Sequence, residues 1–86
     1  MKQVEKILKA LANCRRLAIL VYLGKCEKAT VGEVAREINL SFKATSKHLV
    51  ILRGADIIDR GQLSLRAQYS LNKPLSSIVK LVLSIF

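Results

Sequence analysis

The sequence predicts a mainly α-helical fold that carries one small β-hairpin. Up to about residue 54, apolar residues recur at the three- and four-residue spacing that places them on one face of a helix. Over residues 65–71 they alternate with polar residues instead, as in a strand with one buried face. Because the chain has 86 residues, we expect residues 1–86 to form a single domain.

The first two helices are predicted from apolar spacing and from a capping residue between them. A first helix is expected over about residues 3–12, with an apolar face formed by Val4, Ile7, Leu8 and Leu11. Asn13 interrupts this pattern and is a favourable N-cap for a second helix over about residues 14–24. The residues expected to face inward on the second helix are Leu17, Leu20, Val21 and either Leu23 or Gly24.

The next two helices are short and close together. Thr30 and Glu33 have the spacing of a capping box, in which each side chain binds the backbone N–H of the other residue. The third helix should then bury Val34, Ala35 and Ile38. Ser41 suits the N-cap of a fourth helix that ends near Gly54. The inner stripe of that helix is expected to be Thr45, His48, Leu49 and Leu52.

The chain is expected to finish with a hairpin and a fifth helix. The strands are predicted at residues 57–58 and 65–71, and the tip of the hairpin at residues 61–64. Pro74 can open a last helix that runs to Phe86 and is apolar on nearly all sides. Such a helix must be buried on more than one side. One side is expected to pack on the first helix, and a second copy of the chain is expected to cover the other.

The spacing of the third and fourth helices points to a function. Only three residues, Asn39 to Ser41, separate them, which predicts a helix-turn-helix over residues 30–53, followed by a wing over residues 57–71. In a winged helix-turn-helix the second helix of the pair enters the major groove of DNA. That helix has three cations and no acid, and the chain has a formal net charge of +9, so duplex DNA is the expected partner. A solvated helix face is the simpler interpretation of those charges, and an anionic membrane surface is a second candidate polyanion.

Three segments of the sequence resemble the ArsR-type winged-helix repressors. They are LKALANCRRLAILVYL, TVGEVAREINLSFKATSKHLVILRGADII and RAQYSLN, and the resemblance extends over roughly residues 7–73. The pattern LSxxxxSxHLxxL is the more specific part, because LAxxxRLxIL alone is weak. The resemblance implies a homodimer in which the first and last helices, residues 1–12 and 74–86, pack across a two-fold axis.

The resemblance also implies which residues bind DNA and which form the dimer. The implied DNA contacts are Arg16, Ser41, Phe42, Lys43, Ser46, Lys47, Arg60, Gln62 and Arg66. The implied dimer interface is Val4, Ile7, Leu8, Leu11, Leu75, Ile78, Val79, Val82 and Phe86. Arg16 matches a family arginine that could approach phosphate or support the turn. His48 matches a family histidine, for which a local hydrogen bond is the favoured role.

The sequence departs from the family pattern at several positions. Cys14 replaces a frequent proline, and Phe42 replaces a polar residue and is expected either to contact a thymine methyl group or to pack. Asp56 replaces a glycine and should adopt a left-handed conformation at some cost. Thr30 and Gly32 occupy the positions of the cysteine pair that metal sensors of the family use. We therefore expect no metal site and no cofactor, and the sequence does not indicate whether a small-molecule effector exists.

Composition disfavours several other classes of protein. Charges interrupt every apolar run near the N-terminus, so no signal peptide is expected. No segment approaches the roughly 18 consecutive apolar residues of a spanning helix, and a cytoplasmic location is therefore expected. Cys14 and Cys26 are expected to be reduced thiols. Neither is expected to form a catalytic pair with His48, and the protein is not expected to be an enzyme. Two alternatives stay open: a winged helix that binds protein without specific DNA binding, and a last helix that lies in the plane of a membrane.

Overall fold

A computed structural model shows five helices and one antiparallel hairpin. It describes residues 1–63 and 65–86, with Leu63 described through its backbone only. The elements, in chain order, are α1 (Lys2–Leu11), α2 (Cys14–Cys26), α3 (Val31–Ile38), α4 (Phe42–Gly54), β1 (Ile58–Leu63), β2 (Arg66–Leu71) and α5 (Ser77–Ile85). This order confirms the predicted fold, a winged helix-turn-helix in which α3 and α4 form the helix pair and the β1–β2 hairpin forms the wing.

The predicted N-caps are confirmed at three helices. Asn13 Oδ1 accepts hydrogen bonds from two backbone nitrogens at the start of α2, at 2.9 and 3.1 Å. Thr30 and Glu33 form the complete capping box of α3, with 2.8 Å between Thr30 N and Glu33 Oε1. Ser41 Oγ accepts from a backbone nitrogen of α4 at 3.1 Å. These bonds satisfy donors that have no partner inside a helix, so local sequence fixes where each helix begins.

A left-handed residue makes the turn between α3 and α4 sharp. Asn39 has φ 54° and ψ 54°, a conformation that asparagine adopts more readily than most residues. The backbone N–H of Leu40 then donates to Ala35 O at 3.0 Å, which satisfies a carbonyl at the end of α3. The chain therefore changes direction sharply within three residues, and α4 begins at Phe42.

The core lies between the helices and the base of the wing. Its fully buried side chains are Ile19, Leu20, Leu23, Val34, Thr45, Leu49, Leu52 and Ile58. The prediction for α2 was partly wrong, because Ile19 is fully buried. Leu17 and Val21 are only half-buried, and Gly24 is exposed. Because α2 contacts every other helix and also β2, it is buried on several sides, and its buried residues do not form a single narrow stripe. His48 is likewise half-buried, beside the inner stripe of α4.

The first strand of the wing, Ile58–Leu63, is longer than predicted, whereas the second, Arg66–Leu71, is one residue shorter. β1 and β2 pair antiparallel along their full length. The sequence predicts the tip at residues 61–64, but Gly61 and Gln62 lie within β1. Leu65, predicted in the second strand, lies in the turn with its side chain in solvent, and Ser64 lies outside the described residues. Apolar alternation does not mark these ends, because the outer part of the hairpin extends past the core.

A second backbone contact fixes the base of the wing. Ala29 N donates to Tyr69 O at 3.0 Å, and Tyr69 N donates to Ala29 O at 2.7 Å. This isolated antiparallel bridge joins the connector between α2 and α3 to β2. Both residues are buried, so the base of the hairpin is part of the hydrophobic core.

The last helix begins later than predicted. Pro74 does not open it: the proline follows a cis peptide bond with Lys73 and lies in the connector, and α5 begins at Ser77. Ser76 sets this start, because its Oγ accepts a hydrogen bond from Val79 N at 3.2 Å and serine is a preferred N-cap. Within the described residues, no helix combines the length and the apolar character needed to cross a bilayer.

The packing of α5 also differs from the prediction. α5 packs mainly on α2 rather than on α1. Ile7, Leu11 and Val79 were expected at the dimer interface, but they are buried in the chain's own core and have little surface left for a partner. Leu75, Ile78 and Val82 are half-buried against that core. The apolar side chains of the N-terminal and C-terminal helices that remain exposed are Met1, Val4, Leu8, Leu81, Ile85 and Phe86.

Candidate nucleic-acid interface

The N-terminal half of α4 presents a polar and basic face to solvent. Phe42, Lys43 and Lys47 are exposed, and Ser46 is half-buried. The opposite face of the helix is held in the core by Thr45, Leu49 and Leu52. Because α4 contains no acidic residue, nothing on it repels a phosphate group. A helix with this distribution of groups can enter the major groove of DNA.

A cleft of about 630 Å³ lies between α4 and the wing. Four of the predicted DNA contacts line it: Phe42, Ser46, Arg60 and Arg66. The other predicted contacts do not line this cleft. Lys43 and Lys47 lie on the outer face of α4, Ser41 is exposed at its N-cap, and Gln62 lies further along β1. The structure therefore brings α4 and the two wing arginines to one concave surface.

Two charged residues that were not predicted at the site, Glu33 and Arg36, also line this cleft. They are three residues apart on α3, a spacing that places side chains on one face of a helix. Hydrogen bonds from the Thr30 backbone and side chain, and then the charges of Arg36 and Arg66, lower the pKa of Glu33. Glu33 is thus an anion held by its capping partner. With Arg36, Arg60 and Arg66 also lining the cleft, the charge of the surface is net positive.

Arg16 lies where three helices meet. Its Nε donates to Ala10 O, and its Nη2 donates to Lys9 O at 3.5 Å. Its Nη1 is 3.2 Å from His48 Nδ1. Because arginine can only donate, Nδ1 is the acceptor and His48 carries its ring proton on Nε2. Burial lowers the pKa of His48, and the charges of Arg16 and Arg15 lower it further, so neutral His48 is favoured at pH 7.

The neighbouring arginine holds the end of α3. Arg15 Nη1 donates to Ile38 O at 2.9 Å, which satisfies one of the last carbonyl groups of that helix. Ile38 immediately precedes the turn to α4, so the start of α2 supports the helix-turn-helix at this point. No local pattern in the sequence indicates this contact, because 23 positions separate the two residues.

Three further positions were singled out in the sequence: the two cysteines and Asp56. Cys14 is exposed, Cys26 is half-buried, and both are free thiols. In the part of the chain that the structure describes, no three His, Cys, Asp or Glu side chains are grouped so that they could hold a metal ion. Asp56 has φ 58°, which confirms the left-handed conformation predicted for it.

Comparison with known proteins decides the family. Residues 13–60 match the family described as bacterial regulatory protein, arsR family. The chain belongs to the ArsR family. It is also 31% identical over 86 residues to the HTH-type transcriptional regulator YgaV of Escherichia coli (strain K12), a match that covers 99% of this chain and 87% of YgaV. The resemblance inferred from the sequence is thereby confirmed, and this ArsR-family protein is a DNA-binding transcriptional regulator rather than a protein-interaction module.

Solved structures of similar proteins have the same fold. Reduced HlyU from Vibrio cholerae is 32% identical, with a TM-score of 0.81 over 98% of this chain and 84% of that one. The transcriptional repressor PagR of Bacillus anthracis is 29% identical, with a TM-score of 0.81 over 94% and 93%. The homodimeric winged helix-turn-helix DNA-binding domain of Mb0332 from Mycobacterium bovis is 27% identical, with a TM-score of 0.87 over 98% and 78%. The ArsR family and these relatives are regulators of transcription, not enzymes.

Proposed function

We propose that this ArsR-family regulator binds duplex DNA as a homodimer, reads an operator with α4 and the wing, and represses transcription. One observation carries the proposal. Phe42 and Ser46 of the acid-free helix α4 line the same cleft as the two wing arginines. In this arrangement the cations can hold the DNA backbone while α4 reaches the base edges.

Each polar residue of α4 has a proposed role in that complex. Lys43 and Lys47 are exposed and neutralise phosphates. Ser41 and Ser46 donate to, or accept from, base edges or phosphates. Phe42 is 64% exposed, so packing within the chain does not explain it. Contact with a thymine methyl group does, because apolar side chains recognise that group in the major groove.

The wing and α3 supply further cations. Arg60 and Arg66 line the cleft, and in the proposed complex they bind phosphate at the side of the cleft that the wing forms. Gln62, further along β1, reaches the adjacent groove. Arg36 also lines the cleft and adds a phosphate contact that the sequence did not predict. Arg16 is not proposed as a phosphate contact, because its donors are already engaged within the chain.

The homodimer is proposed because apolar surface remains at both ends of the chain. Val4 and Leu8 of α1 are 45% and 53% exposed, and Ile85 and Phe86 at the end of α5 are 71% and 70% exposed. The exposed side of α1 also has an open, mainly apolar concavity of about 570 Å³ that begins at Met1. A second copy can cover these surfaces, and the related Mb0332 domain is homodimeric.

Two further parts of the proposal follow from the family and the partner. Repression is proposed because the similar PagR is a transcriptional repressor, and an operator-bound dimer can act by blocking access to a promoter. A cytoplasmic location is proposed because a bacterial regulator must reach the chromosome. Both parts depend on DNA binding, which the following experiment tests.

Binding to a fluorescent random-sequence duplex should be measured by anisotropy over a series of salt concentrations. Affinity should fall steeply with salt, because each neutralised phosphate releases counterions. Lys43→Ala and Lys47→Ala should each weaken binding and reduce the slope of log K against log salt by about 1.8 per dimer, which is roughly 0.9 for each lost phosphate contact in each protomer. Lys25→Ala is the matched control, because Lys25 is exposed on α2 and does not line the cleft.

The outcomes of this experiment are distinct. If both α4 variants bind like the wild type at every salt concentration, α4 is not the reading helix. If Lys25→Ala changes the salt slope as much as the two α4 variants do, binding depends on the net charge of the chain and not on α4. If the wild type shows no salt-dependent binding, direct DNA binding by this chain is excluded and a protein partner has to be sought.

A further inference from the structure

The contacts of Arg16 and His48 join the end of one helix to the side of another. Lys9 and Ala10, whose carbonyl oxygens accept from Arg16, are in the last turn of α1. Carbonyl groups at the end of a helix have no partner inside it and carry partial negative charge. With one guanidinium, Arg16 donates to both of these carbonyls, of which Lys9 O also accepts from Ala12 N at 3.3 Å. Arg16 therefore helps to cap α1 although it belongs to α2.

The same guanidinium also reaches the recognition helix. Arg16 Nη1 contacts His48 Nδ1 at 3.2 Å, and His48 directly precedes the fully buried Leu49 on α4. Three of the five N–H donors of Arg16 therefore have partners within the chain. The side chain is half-buried, and a bound phosphate would have to compete with these partners.

Arg16 is itself held in place by local structure. Its backbone N–H donates to Asn13 Oδ1 at 3.1 Å, in the cap of α2. The adjacent Arg15 donates to Ile38 O at the end of α3. The first turn of α2 is thus bonded to the last turns of α1 and α3 and to the middle of α4. A rigid base of this kind gives the guanidinium a defined direction.

We infer that Arg16 and His48 are positioning residues that set the orientation of α4 relative to α1. This inference rests on the proposed function, in which α1 belongs to the dimer and α4 reads DNA. A dimer reads two half-sites only if its recognition helices are about one helical turn of DNA apart. Within each protomer, the Arg16–His48 bridge sets the position of α4 and so the separation of the two α4 helices in the dimer. The bridge therefore affects which sequences are bound, and it does not change how many phosphates are neutralised.

The bridge can be tested in the free protein by NMR. In the wild type, the ring nitrogens of His48, the chain's one histidine, should show the Nε2–H tautomer with Nδ1 as acceptor. Arg16→Gln, which retains an N–H donor but no charge, should alter the Nδ1 resonance. A wild-type spectrum with the proton on Nδ1 would overturn the inference without reference to DNA.

The effect on DNA is tested with a duplex that the wild-type protein selects from a random library. His48→Asn keeps an acceptor close to the position of Nδ1, whereas His48→Leu removes it. We expect His48→Leu and Arg16→Ala to bind the selected duplex about tenfold more weakly, as follows if only about a tenth of the molecules keep α4 in the orientation that binds. His48→Asn should bind the selected duplex with nearly wild-type affinity, because it keeps the acceptor. All variants should keep the wild-type salt slope and nearly the wild-type affinity for random DNA.

Three results would count against this role. If Arg16→Ala reduces the salt slope by about 1.8, as expected for Lys43→Ala, Arg16 binds phosphate instead. If His48→Asn is as weak as His48→Leu while both remain folded by circular dichroism, the acceptor at His48 is not used. If the wild type selects no sequence, the proposed function fails and the positioning role fails with it, although the NMR tautomer would still reveal the bridge.

Discussion

Thr45 offers a direct test of how the recognition helix is held in the core. Its side chain is fully buried, and among the residues that the structure describes its hydroxyl has no hydrogen-bond partner. An unpaired hydroxyl in the core costs about 1–3 kcal/mol. Valine has nearly the same shape as threonine and a similar helix propensity. Thr45→Val should therefore raise the unfolding free energy by about 1–2 kcal/mol.

The measurement is urea and thermal unfolding at a fixed protomer concentration, because the stability of a dimer depends on concentration. For a domain of this size, each kcal/mol corresponds to roughly 4–8 °C in Tm. Thr45→Ser is the matched control, since it keeps the hydroxyl and removes the buried methyl group, and it should lose about 1 kcal/mol. A Thr45→Val variant that is less stable than the wild type would show that the hydroxyl is hydrogen-bonded in solution.

Three other predictions follow from single residues. The pKa of His48 is lowered from 6.5 by burial and by the charges of Arg16 and Arg15, so the unfolded chain binds more protons below about pH 6.5. The free energy of unfolding should therefore be highest above that pH and decrease as the pH falls toward the pKa of the folded state. Urea unfolding at a series of pH values should show a smaller decrease for His48→Asn. Asp56→Gly should stabilise the chain by up to about 0.5–1 kcal/mol in thermal unfolding, because glycine adopts a positive φ without a steric cost; a loss would mean that its carboxylate forms a bond. Ile85→Lys should convert the dimer to a monomer in sedimentation and weaken binding to a selected duplex, and a wild-type monomer at micromolar concentration would contradict the dimer.

Local chemistry made much of the fold predictable. The caps at Asn13, Thr30 and Ser41 each depend on a side chain that binds a backbone group two or three residues away, and such bonds can be read from spacing alone. The start of α5 was missed although it follows the same rule. Pro74 and Ser76 both favour a helix start, and neither residue type nor spacing favours the later one.

Contacts between distant segments account for the other differences. The guanidinium of Arg16 and the ring of His48 are 32 positions apart, so neither residue type nor spacing could show that they touch. The burial of Ile19 depends on α2 having neighbours on several sides, which a single-helix pattern does not contain. Arg36 was overlooked because it precedes the turn, and only the fold shows that α3 and the wing border the same cleft.

The backbone bridge between Ala29 and Tyr69 divides the wing into a base and an outer part, which differ in how well they can tolerate a change in length. At the base, Tyr69 and Leu71 are buried, and a change in strand length there would move core side chains to the solvent face. Further along the hairpin, Gly61, Gln62 and Arg66 are exposed, and an insertion near the tip would mainly change the reach of the wing. Regulators built on this framework can therefore acquire longer or shorter wings, and contact a different stretch of DNA, while the rest of the domain is inherited unchanged.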